Sequence, residues 1–304
     1  MDILFKPIYA KSFYKMKNVI FFTFYLIFFA IVSSILFSII YMSFEEQPTF
    51  TLNKAIKYGA ILLSFIFIFL TLKFKKITSK EMCSDHSLKI ILLSIIKGFF
   101  ISIFASLPII ILLHIFDIRI FNFNMNDIDN VFFVTILLSV LSGLIIGFIE
   151  EFFFRGIMVR KNNFTFINLF PIILASTSYS TFHFIKIPDI LDPVIAWDTG
   201  LTYLIDVFTN LNNLILYDAF YTLLIFGIFL SLVKIKYKNI FYCIGIHAGF
   251  IFVIKTYKQN SYVNFEGSFL NLISPYDHFI GHMVSLTILT YLLIFIFNAW
   301  LKNR

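Results

Sequence analysis

The sequence predicts an all-α integral membrane protein with about eight transmembrane helices and both termini in the cytoplasm. Three observations predict this fold. Hydrophobic residues make up 60% of the 304 residues and charged residues only 13%, about half the share found in an ordinary soluble domain. Apolar runs of roughly 20 residues, the length that spans a bilayer as a helix, recur along the chain. Lysines and arginines gather in alternate loops between these runs, as they do in cytoplasmic loops.

The predicted spans follow one another with no linker or second domain between them. The first span is longer than the apolar core of a signal peptide, and no small-residue cleavage site follows it, so we expect it to be retained. The second and seventh are short for a span. The eight predicted spans are 19–42, 58–72, 90–116, 131–157, 164–185, 213–233, 239–254 and 279–300.

Most basic residues fall in the segments that this topology places in the cytoplasm. The positive-inside rule therefore accounts for the net charge of +7, which in a soluble chain would suggest nucleic-acid binding. The sequence predicts one integral membrane domain over 1–304, a multi-pass location in the cell membrane, the lipid bilayer as a partner, and no nucleic-acid partner. Cys83 and Cys243 are too few for a disulfide framework.

A few ionisable residues fall inside the predicted spans. Each costs roughly 2.5–3.5 kcal/mol to insert, and each is therefore a candidate for function. They are Glu150, Glu151 and Arg155 in the fourth span, His183 in the fifth and His247 in the seventh. A lone histidine in a span is more often a packing residue, but this combination on three spans indicates a site.

The fourth span ends in a Glu-Glu-x-x-x-Arg motif. At about 100° per residue, Glu151 and Arg155 lie on nearly the same helix face and can form an ion pair, whereas Glu150 lies outside that pair. Gly143 and Gly147 extend the same face backwards, so we expect a neighbouring helix to pack closely there. The alternative is that all three charges form a buried network that only fixes packing.

These residue types are suited to hydrolysis of an amide bond. A desolvated Glu150 can act as a general base towards water, one imidazole can orient that water, and the other can hydrogen-bond the developing oxyanion. Two histidines and one glutamate, here Glu150, His183 and His247, also match a catalytic zinc site. The residues alone leave both mechanisms open.

At these motifs the chain resembles the CPBP family of intramembrane proteases, which contains the type II CAAX prenyl endopeptidases and the bacteriocin-immunity proteins. The family pattern is EExxxR, then FxxxH, then HxxxN, on separate spans. The matching positions, in the same order, are Glu150, Glu151 and Arg155, then Tyr179 and His183, then His247 and Ile251. The similarity extends over roughly 130–257, the expected catalytic core.

The resemblance implies an eight-helix membrane fold that hydrolyses a peptide bond near the cytoplasmic leaflet. It implies that Glu150 activates the water with help from His183, that His247 belongs to the oxyanion site, and that Glu151 and Arg155 hold the architecture. It also implies a peptide or protein substrate, prenylated or membrane-anchored in the family. Members are often labelled metalloproteases, although a metal-free glutamate mechanism is also argued, so a divalent metal such as zinc stays an open alternative.

Two departures from the family pattern bear on activity. Tyr179 replaces the usual Phe, which is a mild change, and Ile251 replaces the Asn that would share oxyanion stabilisation. Loss of one such donor costs on the order of 10²–10³ in rate. The predicted spans also place Glu150 and His183 near opposite faces of the membrane, so one of their helices must extend or tilt for them to meet.

Other functional classes fit the sequence less well. It contains no HExxH motif of a zinc protease, no rhomboid GxSG motif and no GxGD aspartyl motif. A proton- or ion-coupled transporter would also place Glu and His at membrane depth, but no inverted repeat is visible. A non-proteolytic scaffold or immunity protein of the same family stays a second alternative because of Ile251. We therefore predict a membrane-embedded endopeptidase.

Overall fold

The computed structural model describes residues 2–44, 48–74, 87–122, 130–159, 169–190 and 194–301. Nearly all of this part of the chain is helical, which confirms the all-α fold. The helices, in chain order, are α1 (Asp2–Tyr41), α2 (Leu52–Phe74), α3 (Leu88–Ile115), α4 (Asn130–Glu151), α5 (Leu169–Phe182), α6 (Thr199–Thr209), α7 (Leu211–Leu214), α8 (Tyr217–Tyr237), α9 (Ile240–Gln259) and α10 (His282–Leu301).

Six helices in the described residues are long and apolar enough to cross a membrane, and they make this a multi-pass integral membrane protein. They are Val19–Tyr41, Leu52–Leu70, Leu88–Ile115, Phe132–Met158, Tyr217–Tyr237 and Ile240–Gln259. The fifth and eighth predicted spans correspond to shorter apolar helices, Leu169–Phe182 and His282–Asn298. The prediction of eight spans is therefore confirmed for six, and the orientation of the termini stays a prediction.

The chain divides into two compact units, of which the first comprises Met1–Thr78 and Thr181–Ile215. In this unit α1 packs against α2 and α6. Ser33 Oγ donates a hydrogen bond to Ile56 O at 2.8 Å, and the Gly200 amide donates one to Ser38 Oγ at 2.9 Å. A Cβ at Gly200 would lie 2.9 Å from the backbone oxygen of Ser34, so glycine allows α6 to approach α1 this closely.

The second unit comprises Ser79–Ser180 and Leu216–Arg304, and α9 is its central helix. α9 packs most extensively against α3 and α4, while α10 packs against α8. Small residues make the α3–α9 contact close: a Cβ at Gly98 would lie 2.5 Å from Tyr242 O. Asn239 caps the start of α9 by accepting a hydrogen bond from the Phe241 amide, and it donates one to Ser94 Oγ on α3.

A π-helix, Phe152–Met158, continues α4 directly and contains Arg155. Every one of its residues after Phe152 is buried. The buried Lys234 of α8 donates a hydrogen bond from Nζ to the Val159 carbonyl at 2.8 Å, where this helix ends. Short π-helices inside α-helices often occur at functional sites. The sequence predicts an ordinary helix over this stretch, and the π-helix departs from that prediction.

Two short strands, β1 (Arg119–Phe121) and β2 (Ser261–Val263), pair antiparallel with Arg119 opposite Val263. The Arg119 side chain is buried, and its guanidinium donates hydrogen bonds to Ser261 Oγ, Ser261 O and His278 O at 3.0, 2.8 and 2.9 Å. This arginine therefore joins the ends of α3 and α9 to the segment that precedes α10.

Candidate active site

The predicted ion pair between Glu151 and Arg155 forms in the second unit. Arg155 Nη1 lies 2.9 Å from Glu151 Oε1, and the side chains are 1% and 0% exposed. This pairing is confirmed although a π-helix begins between the two residues. Because an isolated charge at this depth would cost several kcal/mol, each of the two residues makes the burial of the other tolerable.

Arg155 is held by more than its carboxylate partner. Its Nη2 donates a hydrogen bond to the Gly227 carbonyl of α8 at 3.2 Å. Its guanidinium carbon lies 4.5 Å from the centre of the Tyr179 ring, within the range of a cation–π contact. Arg155 therefore ties the π-helix to α5 and α8, which accords with an architectural role.

His247 joins this pair from α9. Its Nδ1 lies 2.8 Å from Glu151 Oε1, the oxygen that also contacts Arg155. Because an ionised carboxylate only accepts hydrogen bonds, we assign the Nδ1 proton as the donor. This contact fixes the rotation of the ring, and its Nε2 then faces Glu150 Oε2 at 3.7 Å. Glu151 therefore orients the imidazole towards the second carboxylate.

Aromatic rings surround the imidazole on two further sides. Phe226 of α8 lies edge-on to His247 with 5.5 Å between ring centres, and Tyr179 of α5 does so at 6.2 Å. These rings restrict the orientation of His247. They also lower the local polarity, so the electrostatic interactions among the charges of the site are only weakly screened.

Glu150 differs from Glu151 in its exposure. The Glu150 side chain is 25% exposed, whereas that of Glu151 is fully buried. The prediction that Glu150 lies outside the Glu151–Arg155 pair is confirmed, and Glu150 makes an ionic contact with His247 Nε2. At 3.7 Å the two atoms are beyond direct hydrogen-bond distance but close enough to contact one water molecule beside them. The cluster therefore places a partly exposed carboxylate side chain next to an imidazole nitrogen.

Two glycines on α4 make this meeting of α4 and α9 possible, as the sequence predicts. A Cβ at Gly143 would lie 2.7 Å from Ala248 O, and one at Gly147 would lie 3.1 Å from Ile244 O and 3.5 Å from His247 Cβ. The small residues allow backbone-to-backbone approach, and this approach brings His247 within reach of Glu151.

Comparison with known families connects this geometry to a protein class. Residues 132–253 match a family model described as Type II CAAX prenyl endopeptidase Rce1-like. This segment belongs to the Rce1-like family. The match contains Glu150, Glu151, Arg155, the Tyr179–His183 pair and His247. No curated protein matches the chain, and no solved structure matches it.

The two other predicted positions of the Rce1-like segment are His183 and Ile251. His183 lies one residue beyond the end of α5, half-buried, in the part of the chain that belongs to the first unit. Ile251 lies one turn beyond His247 on α9 and lines a cavity with Ile254 and Lys255. Its aliphatic side chain supplies no hydrogen-bond donor. The roles of both residues stay predictions.

Tyr276 is a candidate that the sequence analysis missed. It lies in the segment before α10, which α8 holds through two hydrogen bonds: Ser274 Oγ to Asp218 Oδ1 at 2.8 Å, and Thr222 Oγ1 to Gly281 O at 3.0 Å. Burial raises the pKa of the Tyr276 phenol to about 12, and the carboxylates of Asp277 and Glu150 add to the shift. A phenol that stays protonated therefore lies within electrostatic range of Glu150.

The described residues of the second unit do not complete a metal site. Glu151 Oε1 already contacts Arg155 and His247, so Glu150 Oε2 and His247 Nε2 are the two donors that face a common space. A catalytic zinc takes three protein ligands, and no cluster of three His, Cys, Asp or Glu residues was found in the described part of the chain. We therefore assign no catalytic step to a metal.

Proposed function

We propose that the protein is a membrane-embedded endopeptidase that hydrolyses a peptide bond with a water activated by Glu150. The observation that carries the proposal is the pairing of a partly exposed Glu150 with His247 Nε2 at 3.7 Å, inside a segment that matches the Rce1-like family. Residues 130–257 would form the catalytic core, in the cell membrane with both termini cytoplasmic. The substrate would be a peptide or protein at the membrane, prenylated or otherwise anchored.

The proposed reaction begins with a water between Glu150 and His247. Glu150 takes a proton from this water, and the hydroxide forms a bond to the carbonyl carbon of the scissile peptide. The proton then passes from Glu150 to the amide nitrogen as the C–N bond breaks, giving a carboxylic acid and an amine. A His247 ring protonated on both nitrogens keeps Nδ1 on Glu151 and donates from Nε2 to the oxyanion. His183 would assist Glu150, as the resemblance implies.

The remaining residues of the cluster would act through these two. Glu151 fixes the orientation of the His247 ring. Arg155 compensates the charge of Glu151, which is buried and therefore not stabilised by water. Tyr179 supports Arg155 from the ring face at 4.5 Å. We assign these three residues to positioning, with Glu150 and His247 in contact with the reacting groups.

Hydrolysis of a quenched fluorescent peptide library by the purified protein in nanodiscs tests the proposal. We expect Glu150→Gln to lower kcat/KM on the order of 10³-fold, since this variant removes the general base and preserves the size of the side chain. The control is Glu266→Gln, because Glu266 is an exposed acid outside the site. Equal hydrolysis by the parent and Glu150→Gln, or hydrolysis by neither, would contradict the proposal.

A non-proteolytic membrane protein of the same family is the second candidate, and the aliphatic Ile251 favours it. This candidate predicts that the same library is not cleaved by the parent. Metal content measured on the purified protein, together with its response to a chelator, would show separately whether a divalent ion takes part.

A further inference from the structure

A cavity of about 270 Å³ lies among α3, α8, α9 and α10 of the second unit. Its walls are almost entirely apolar and include the rings of Phe229 and Phe250. Ile101 and Ile294 also line it and are 54% and 53% exposed, so the cavity opens on the outer surface of the helices, which faces the hydrocarbon of the bilayer. Because this region contains no bulk water, we expect a hydrocarbon chain to fill the cavity.

The hydroxyl groups in the walls of this cavity already have acceptors. Ser102 Oγ donates a hydrogen bond to Phe99 O at 2.8 Å, and Tyr291 Oη donates one to Ala105 O at 2.9 Å. Because both hydroxyl protons are used within the protein, neither requires a polar ligand. The inner part of the cavity is therefore suited to an apolar chain.

The cavity extends along α10 over the depth of one membrane leaflet. Its lining residues on this helix run from Ile288 to Asn298, a separation of ten residues. At about 1.5 Å per residue this separation is about 15 Å, which is half of the roughly 30 Å hydrocarbon core of a bilayer. One acyl chain of a phospholipid covers the same depth, so the length of the cavity matches a single chain.

Two lysines lie near the Asn298 end of the cavity. Lys236 Nζ of α8 is 4.3 Å from the centre of the Phe295 ring, which lines the cavity. Lys97 lies one helical turn before Ile101, on the same face of α3. Both lysine side chains are exposed. Within the part of the chain that the structure describes, none of the ion pairs includes either of them.

The packing of α3 against α10 places both lysines at the same end. α10 runs alongside α8 and in the opposite direction to α3 and α9. Lys97 comes eight residues before Ala105, and Asn298 comes seven residues after Tyr291, the partner of Ala105. At about 1.5 Å per residue, Lys97 and Asn298 therefore lie about 10–12 Å from this hydrogen bond, on the same side of it.

The charge at this end is complementary to a phosphate group. A phosphate accepts charge-assisted hydrogen bonds from lysines, and basic pockets between transmembrane helices bind anionic lipid headgroups on the cytoplasmic side. The predicted topology places the start of α3 and the ends of α8 and α10 on that side. An apolar groove of one leaflet's depth with two cations at its cytoplasmic end therefore fits an anionic phospholipid.

We propose that this cavity binds one anionic phospholipid of the cytoplasmic leaflet, with an acyl chain between Phe250 and Ile288 and the phosphate on Lys97 and Lys236. The site is separate from the cluster of Glu150 and His247, and the inference does not depend on peptide hydrolysis. It makes one lipid a ligand with a defined place on the protein, in addition to the bilayer that surrounds the helices.

Photo-crosslinking of the full chain in phosphatidylcholine nanodiscs tests the site. The probe is a trace of phosphatidylglycerol with a diazirine in the middle of one acyl chain, and labelled peptides are identified by mass spectrometry. We expect label on the peptides that contain Phe250 and Tyr291, and about tenfold less from phosphatidylcholine with the same modified chain. Equal labelling by the two probes, or equal labelling of α1 and α2 by the anionic probe, would overturn the inference.

Charge variants assign the binding to the two lysines. Lys97→Met combined with Lys236→Met should lower labelling by the anionic probe about 25-fold, which is about fivefold for each lysine. The two corresponding arginine substitutions should keep most of the labelling because they keep the charge. Lys54→Met combined with Lys57→Met is the matched control, since it removes the same charge from exposed positions on α2. An equal loss in both methionine pairs would show that only net charge matters, and the inference would be wrong.

Filling the cavity tests the position of the acyl chain. Ala105→Phe places a ring among the lining residues, so we expect at least tenfold less label on the Phe250 peptide, whereas Ala60→Phe, at a partly exposed position on α2, should leave it unchanged. Full labelling in Ala105→Phe would exclude the acyl chain from this cavity. Displacement of the label by a prenylated peptide, where unlabelled phosphatidylglycerol does not compete, would assign the cavity to a different ligand and overturn the inference.

Discussion

Arg119 and Arg155 are both buried in the second unit, but their guanidinium groups are stabilised by different kinds of partner. All four hydrogen bonds of Arg119 within the described residues go to neutral oxygens, one hydroxyl and three carbonyls. Arg155 gives one hydrogen bond to a carbonyl, and its other partner is the Glu151 carboxylate. Their side chains are almost equally buried, at 3% and 1% exposure.

The two arginines also differ in the further contacts that their partners make. The acceptors of Arg119 lie in the last turn of α9, at the start of β2 and in the segment before α10, so these hydrogen bonds stabilise the local fold. The partner of Arg155 has a second contact, to His247 at 2.8 Å, and His247 in turn faces Glu150. A buried arginine that is paired with a shared carboxylate therefore transmits its position to the candidate catalytic groups.

Replacing each arginine by methionine should separate the two roles and gives the largest expected effect. Arg155→Met leaves Glu151 as an uncompensated buried charge, so we expect a loss of about 3–5 kcal/mol in unfolding free energy, together with loss of peptide hydrolysis. Arg119→Met should lower stability by about 1–3 kcal/mol through unsatisfied oxygens, with the folded fraction still active. Thermal denaturation in detergent and hydrolysis per folded molecule measure both. Equal loss of specific activity in the two variants would remove the distinction.

Glu151→Gln tests the same comparison by changing the carboxylate partner of Arg155 and not the arginine. The amide keeps the size of the side chain but offers His247 and Arg155 a weaker, uncharged acceptor, so we expect kcat/KM to fall about 10–100-fold. Combining it with Arg155→Met should restore part of the stability, because no buried charge is then left alone, but it should not restore activity. A double variant that recovers both would show that Glu151 acts only through packing.

The spacing of residues within one helix is sufficient to predict part of this site. The Glu151–Arg155 pair follows from a separation of four residues, and the close contact at Gly143 and Gly147 follows from small residues at the same spacing. Both depend on one helix and its immediate neighbour. The apolar runs likewise predicted the long helices, because length and hydropathy are properties of a single segment.

The rest of the site depends on how the helices and loops pack in the tertiary structure. The contact of His247 with Glu151 requires a particular rotation of α9, which its sequence does not specify, and the π-helix at Phe152–Met158 leaves no sequence signal that hydropathy could detect. Tyr276 comes from an irregular segment that is positioned by Ser274 and Asp218. The last helix begins at His282, later than predicted, directly after Gly281 in a left-handed conformation with φ of 154°.

Gly227 tests how tightly Arg155 must be held, with a smaller expected effect. A Cβ there would lie 3.0 Å from Ser176 Cβ and 3.3 Å from Arg155 Nη2, so Gly227→Ala should cost about 1–3 kcal/mol by overpacking and should lower hydrolysis. Gly156→Ala is the matched control in the π-helix, since the nearest atom to its Cβ is the flexible Ile240 Cδ1 at 3.2 Å. If both variants melt at the temperature of the parent, the fit around Arg155 is not tight.

Tyr276→Phe gives the smallest expected effect and asks whether the site extends to the segment before α10. Loss of one neutral hydrogen-bond donor should lower kcat/KM about two- to tenfold. Since burial raises the pKa of Tyr276 to about 12, the phenol stays protonated and the ratio of parent to variant should be constant from about pH 7 to about pH 11. Tyr262→Phe, at an exposed position on β2, is the control. A ratio that declines towards one by about pH 11 would mean that Tyr276 titrates as an exposed tyrosine does, and a ratio of one throughout would place it outside the site. In that second case the polar cluster would end at Glu150.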